Sequence, residues 1–156
     1  MRQKTTKSTI FDASDYSIAI LAARFNSRIT QAMVKEAFEF LAKYQVVSKK
    51  VAVYWVPGSI ELPITLSLLA KTGKYDCLIA LGCIIRGETA HFTYVAKIAS
   101  EGILQIMLSH DIPIGFGVLT TDTIKQAEAR IQSAAQSAVA AALEVARIKR
   151  SLKQMA

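Results

Sequence analysis

The chain has 156 residues, 52% of them hydrophobic, and a formal net charge of +7. That excludes a disordered polymer and fits one domain with a full core, read as 1–156 with an N-terminal segment 1–16 and a core 17–152. No apolar run approaches the ~18–20 residues that cross a bilayer, and the opening MRQKTTKSTIFDASD has no apolar leader, so a cytoplasmic protein with no membrane partner is expected.

In chain order, strand one is expected at about Ser17–Ala23 and a helix at about Thr30–Tyr44, with Val34, Ala37, Phe38 and Leu41 on one face. Strand two follows at Lys50–Val56, then the turn PGSIELP and a short helix ending near Gly73, a C-capping glycine. Strand three, Tyr75–Ile85, is apolar without alternation, as strands covered on both faces are. The third helix runs from His91 to Ser109; Gly102 inside it costs ~1 kcal/mol against alanine, which points to close packing there. Strand four is placed at Ile112–Leu119, and Thr121 or Asp122 is expected to cap a final alanine-rich helix. Alternating strands and helices predict a doubly wound three-layer α/β sandwich on a four-stranded parallel sheet.

In such a fold the segments after the strands share the carboxyl edge, where ligands bind. Phe25, Pro57–Glu61, Arg86–His91 and Thr120–Thr121 therefore converge on one crevice. His91 opens a helix, where the macrodipole favours the neutral imidazole that can move protons in either direction; the alternative is a capping or structural histidine. Gly87, Glu88 and Thr89 offer amides and a hydroxyl at the same helix start, which suits phosphate provided the Glu88 charge points away. Glu61 either accepts hydrogen bonds from a substrate or caps its own helix. Phe25 either stacks on a planar ring or joins the core. Arg86 binds an anion or solvates a strand end. Arg130, two turns into the last helix, and His110, before strand four, read as surface residues.

Gly115-Phe116-Gly117 lacks a third glycine and lies in a strand, so no dinucleotide fingerprint is present, and there is no GxxxxGK[ST]. Two histidines and two cysteines are spaced unsuitably for zinc. Cys77 and Cys83 read as reduced core thiols, and an apolar strand should raise the thiol pKa of Cys83 and make it a poor nucleophile. The charge excess sits at the ends, in Arg2, Lys4 and Lys7 and in Arg147, Lys149, Arg150 and Lys153, while residues 11–144 carry twelve charges of each sign. The ends read as solvated and nucleic acid is not expected as a partner; a tail for polyanions or cargo is the alternative.

RFNSRIT (24–30), VPGSIELP (56–63), KYDCLIALGCIIRGETAHFTYV (74–95) and PIGFGVLTTDTIKQAEAR (113–130) together resemble the 6,7-dimethyl-8-ribityllumazine synthase family, in register over residues 17–131. The resemblance implies a flavodoxin-like fold, no metal and no organic cofactor. It implies condensation of 5-amino-6-(D-ribitylamino)uracil with 3,4-dihydroxy-2-butanone 4-phosphate, the penultimate step of riboflavin biosynthesis. By the same resemblance Phe25 stacks on the pyrimidine, and Ser59, Ile60 and Glu61 hold the ribityl chain. Cys83, Ile84 and Ile85 present backbone to the pyrimidine edge, Glu88 and Thr89 lie at the phosphate, and His91 is the acid/base. Arg130 binds phosphate, and it and Phe116 come from the adjacent subunit of a homopentamer or a multiple of one, with riboflavin synthase as a further partner.

One stretch departs from that pattern. The family commonly has a break resembling GTKAGNKG after the arginine, where this chain has Ile131-Gln132-Ser133-Ala134-Ala135-Gln136-Ser137-Ala138. Alanines stand for the lysines, so a continuous final helix from about Asp122 to Leu152 is expected. The loss keeps a second reading open, a flavin-binding or shell relative with little turnover.

Overall fold

The structure, a computed structural model, describes residues 8–156; Arg2, Lys4 and Lys7 of the basic N-terminus lie outside the described residues. Four strands, β1 (Ile18–Ala23), β2 (Val51–Val56), β3 (Cys77–Ile85) and β4 (Ile114–Thr121), form one parallel sheet in the order β2-β1-β3-β4. This is the flavodoxin-like order. Among the described residues five α-helices join and follow them: α1 (Ser27–Lys43), α2 (Leu62–Lys71), α3 (His91–His110), α4 (Ile124–Glu128) and α5 (Ile131–Met155).

Strand alternation divides the core between two faces. Ile18, Ile20 and Ala22 of β1 and Ile79, Leu81 and Cys83 of β3 turn toward α1 and α5, meeting Met33, Leu41, Val139 and Leu143. Ala19 and Leu21 of β1 with Leu78 and Ala80 of β3 turn the other way, onto Leu66 of α2 and Ala99 and Ile103 of α3. Both sides of β1 are buried, which is why neither central strand shows a polar–apolar alternation in sequence. Cys77 lies deep in this core, and burial pushes its thiol up to about 12.

Close approach explains three glycines. A Cβ on Gly102 would sit 2.6 Å from the Pro63 ring, so α2 and α3 touch there as the sequence led us to expect. A Cβ on Gly115 would fall 2.0 Å from the Ala138 carbonyl oxygen, and one on Gly117 would lie 3.2 Å from the Ala138 Cβ. Helix α5 therefore lies directly on the backbone of β4. Gly73 has φ 65° just past α2, the left-handed position expected of it.

Several boundaries differ from the sequence reading. Helix α1 begins at Ser27, because Asn26 (φ 59°, ψ 46°) takes the left-handed turn that redirects the chain at once. Pro113 delays β4, so Thr120 and Thr121 are its last two residues, paired with Ile84 and Ile85, and not a following loop. His110 closes α3, before Asp111 at φ 49°, and its Nε2 is 3.4 Å from the Ser67 hydroxyl.

The expected unbroken final helix is two helices. Thr123, not Thr121 or Asp122, is the cap: its hydroxyl accepts from the Gln126 N–H at 3.2 Å, and the Gln126 side chain accepts from the N–H groups of Asp122 and Thr123. That reciprocal cap starts a short helix that buries Ala127 and stops at Ala129–Arg130; from Ile131 the alanines carry a straight run to Met155.

The basic C-terminus is no loose tail. Arg150 stacks on Tyr16 at 3.7 Å and donates to Asp15 at 2.8 Å and Asp76 at 3.0 Å, while Arg147 covers Phe11 at 4.8 Å. Asp76 also accepts from the Ser17 N–H at 2.7 Å. These contacts fasten the segment before β1 to α5 at the amino end of the sheet.

Candidate functional site

The sheet order reverses between β1 and β3, and the crevice opens there. Pairing of β1 with β3 runs only to Ala22 and Leu81. Beyond it β1 bends toward β2, the Arg24 N–H donating to Val56 at 2.8 Å and the Phe25 N–H to Pro57 at 3.0 Å. Strand β3 continues to Ile85, held by β4 alone. Between the parted strands lies a cavity of about 360 Å³, large enough for a small ligand.

Phe25, 72% exposed, forms one wall with no core to join. Ser59, Ile60 and Glu61 form another, in a 3-10 turn that leads into α2. Gly82 makes room for that turn, since a Cβ there would fall 2.6 Å from the Ser59 hydroxyl. Glu61 Oε2 accepts from the Gly58 N–H at 2.8 Å, so the carboxylate braces its own turn and keeps its second oxygen free to accept from a ligand hydroxyl.

Cys83, Ile84 and Ile85 supply the third wall. Burial pushes the Cys83 thiol up to about 11, so it is a neutral surface and not a nucleophile. The Arg86 N–H donates to Thr121 of β4 at 2.9 Å; strand alternation therefore turns the peptide groups of Ile85 the other way, into the crevice.

Gly87, Thr89 and His91 close the cavity from the loop before α3. The Thr89 hydroxyl accepts from the His91 N–H at 3.3 Å and keeps its own proton to donate. His91 is the first residue of α3 and is exposed. Glu88, between them, is exposed and does not line the cavity, which leaves the loop's amides usable by an anion.

Besides Glu88, three expected residues are elsewhere. Arg86 is turned away: its guanidinium lies 4.7 Å over Phe92 and its Nε pairs with Asp122 at 2.6 Å. Arg130 is not within a helix but at the α4–α5 break, where it is exposed and donates to the Gln126 carbonyl at 2.9 Å. It borders a separate polar depression beyond Phe92, which lines both hollows. Phe116 projects from the edge strand β4, 45% exposed, away from the cavity. One chain thus brings together Phe25, Ser59–Glu61, Cys83–Ile85, Thr89 and His91, and leaves Phe116, Glu88 and Arg130 outside.

Ala134 and Ala138, expected to stand where the family pattern has lysines, have a packing role. Ala138 is buried against Gly115 and Gly117, and Ala134 is half-buried against the α1–α5 core; a lysine at 138 has no space in this arrangement.

Gly58 and Gly87 line the cavity within segments expected at the crevice, whereas two lining residues escaped the sequence reading, Phe92 and Val95 of α3. The last two carried a signal, the apolar face of α3, that reads equally as core. Asn26 was missed too; its Nδ2 donates to the Cys83 carbonyl at 2.8 Å.

A family model described as 6,7-dimethyl-8-ribityllumazine synthase matches residues 15–150 of this chain. The match runs from just before β1 into the last turns of α5 and covers every residue that borders the cavity.

Proposed function

The chain belongs to the 6,7-dimethyl-8-ribityllumazine synthase family, and from that premise we propose which residues carry the reaction and how the site is completed. The activity is the penultimate step of riboflavin biosynthesis, a transferase reaction on a ribitylaminopyrimidine and a phosphorylated four-carbon ketone.

In our reading the pyrimidine lies against Phe25, with its polar edge on the peptide groups of Cys83–Ile85. The ribityl chain runs along Ser59–Glu61, whose free carboxylate oxygen accepts from a hydroxyl. The phosphate sits at Gly87–Thr89, where a helix start supplies N–H groups and Thr89 a hydroxyl. The pyrimidine's primary amine attacks the ketone carbon and water leaves, forming an imine. Loss of a proton and expulsion of phosphate give an enol, which tautomerises to a ketone. The ribityl-bearing nitrogen then closes on that carbon, and a second water leaves. Each step moves a proton, and the imidazole of His91, which borders the cavity, is the group assigned to move it. Holding both reactants in one cavity supplies much of the remainder, on the order of 7–11 kcal/mol for well-placed partners.

The single observation that carries this reading is the set of three walls, each from a different strand end, converging on His91. The phosphate clamp in this scheme is Arg130 from a neighbouring copy, accompanied by its Phe116. Both are exposed and face away from their own cavity. Tyr94, Ile98, Leu104 and Leu108 of α3 and Tyr54 and Trp55 of β2 are exposed as well, apolar surface that a neighbouring copy can bury. A homo-oligomer, a pentamer or a multiple of one, covers them. Among the described residues no helix is long and apolar enough to cross a membrane, and we place the enzyme in the cytoplasm, with riboflavin synthase as the consumer of its product.

The test is turnover of both substrates, followed by lumazine fluorescence above the spontaneous reaction. His91→Ala and Arg130→Ala should each abolish most of it. Reassembled mixtures of these two inactive variants should regain about a quarter of the wild-type sites if each site is shared head-to-tail between copies. Mixtures with no recovery would place Arg130 in its own chain's site.

A further inference from the structure

An asparagine between a strand and a helix ordinarily caps the helix through its side chain. Asn26 does not: it makes no capping bond to α1. Its Nδ2 instead reaches across the crevice to the Cys83 carbonyl, 57 residues away, at 2.8 Å. The reason lies in the parting of the strands. Once β1 bends toward β2, the carbonyl of Cys83 loses the neighbour that a central strand would give it, and the asparagine amide takes that neighbour's place.

Position matters as much as the bond. Asn26 directly follows Phe25, and it does not border the cavity itself. Its backbone sits at φ 59°, ψ 46°, a region that asparagine tolerates better than other side-chain-bearing residues. A short, stiff side chain therefore joins the base of the Phe25 wall to the Cys83–Ile85 wall.

We propose that Asn26 is a positioning residue, whose hydrogen bond to Cys83 sets the gap between the aromatic wall and the peptide edge and so tunes the site for a planar pyrimidine. This rests on the assignment of Phe25 and Cys83–Ile85 to the pyrimidine. The role is assigned to that substrate, because the Asn26 bond ends on the Cys83 carbonyl and touches neither Gly87–Thr89 nor His91.

The experiment compares wild type, Asn26→Gly and Asn26→Asp. Glycine keeps the left-handed backbone and removes only the bond; aspartate keeps shape and backbone but sets an acceptor against a carbonyl. Calorimetry with the ribitylaminopyrimidine alone gives its Kd, and turnover gives KM for each substrate. Asn26→Gly should weaken pyrimidine binding about tenfold, the scale of one hydrogen bond, and Asn26→Asp should weaken it further. KM for the phosphorylated ketone should hold constant, with the glycine variant melting within a few degrees of wild type. Unchanged pyrimidine affinity in Asn26→Gly, or equal losses for both substrates, would overturn the role. Wild type that binds no pyrimidine would instead overturn the site assignment, and this inference with it.

Discussion

The two ends of the sheet treat charge and aromatic surface in opposite ways. At the amino end, Asp15, Asp76 and Arg150 satisfy one another, and Tyr16 and Phe11 are capped by arginines. At the carboxyl end, Phe25 stands uncovered, His91 is exposed, and one oxygen of Glu61 and the proton of Thr89 have no partner among the described residues. The same strands deliver both sets. What differs is that the amino end is filled by the chain's own segments and the carboxyl end stays open. A residue at one end should thus matter to stability and one at the other to turnover.

The sharpest way to break that comparison is His91→Ala. It should lower kcat by roughly 10²–10⁴, the usual worth of a general acid/base, while the melting temperature stays near that of wild type. A large fall in melting temperature would make His91 structural after all. Next comes Arg130→Ala, which should raise KM for the phosphorylated ketone by about 10–100-fold, as loss of a charge-assisted hydrogen bond does, with pyrimidine affinity unmoved. At the other end, Arg150→Ala should destabilise by about 1–2 kcal/mol, since it removes a partly screened ion pair and a cation–π contact. Below its melting range its kcat/KM should equal that of wild type.

The smallest effect is a pH dependence. The Cys77 thiol is raised from 9.0 to about 12 in the folded chain, chiefly by burial. The unfolded chain gives up that proton first, so the contribution to stability is complete below pH 9 and is lost as pH rises toward 12. Denaturant melts of wild type and Cys77→Ala should diverge in slope only above pH 9. Alkylation of Cys77 in the native protein at neutral pH should be negligible.

Sequence pattern exposed the strands and the segments that line the cavity because both obey local rules. Apolar runs without alternation mark strands with two covered faces, and glycine, proline and charge at their ends mark the turns of the carboxyl edge. Boundaries failed where a local competitor was present. Thr123-Ile124-Lys125-Gln126 is a capping box written plainly in the chain, yet the alanine-rich run after it overwhelms the signal, and one helix was expected where two form. Long-range partners were not legible at all. Asn26 looks like a helix cap until Cys83 is beside it, and Arg150 looks like part of a basic tail until Asp15, 135 residues earlier, receives it.

The contact of Ala138 with Gly115 and Gly117 bears on how this lineage of sequences can change. Each of the three positions has given up its side chain, or nearly so, to the others. A mutation placing a long cation at 138 meets backbone on the opposite side, and no single compensating replacement is left, because two of its neighbours are already glycine. Within the first two turns of α5, a positive charge near Arg130 meets no packing obstacle at the exposed Gln132, Ser133 or Ser137. In the first turn of α5 a cation opposes the helix macrodipole, so Ser137, one turn further on, is the least obstructed route by which drift or design could restore it.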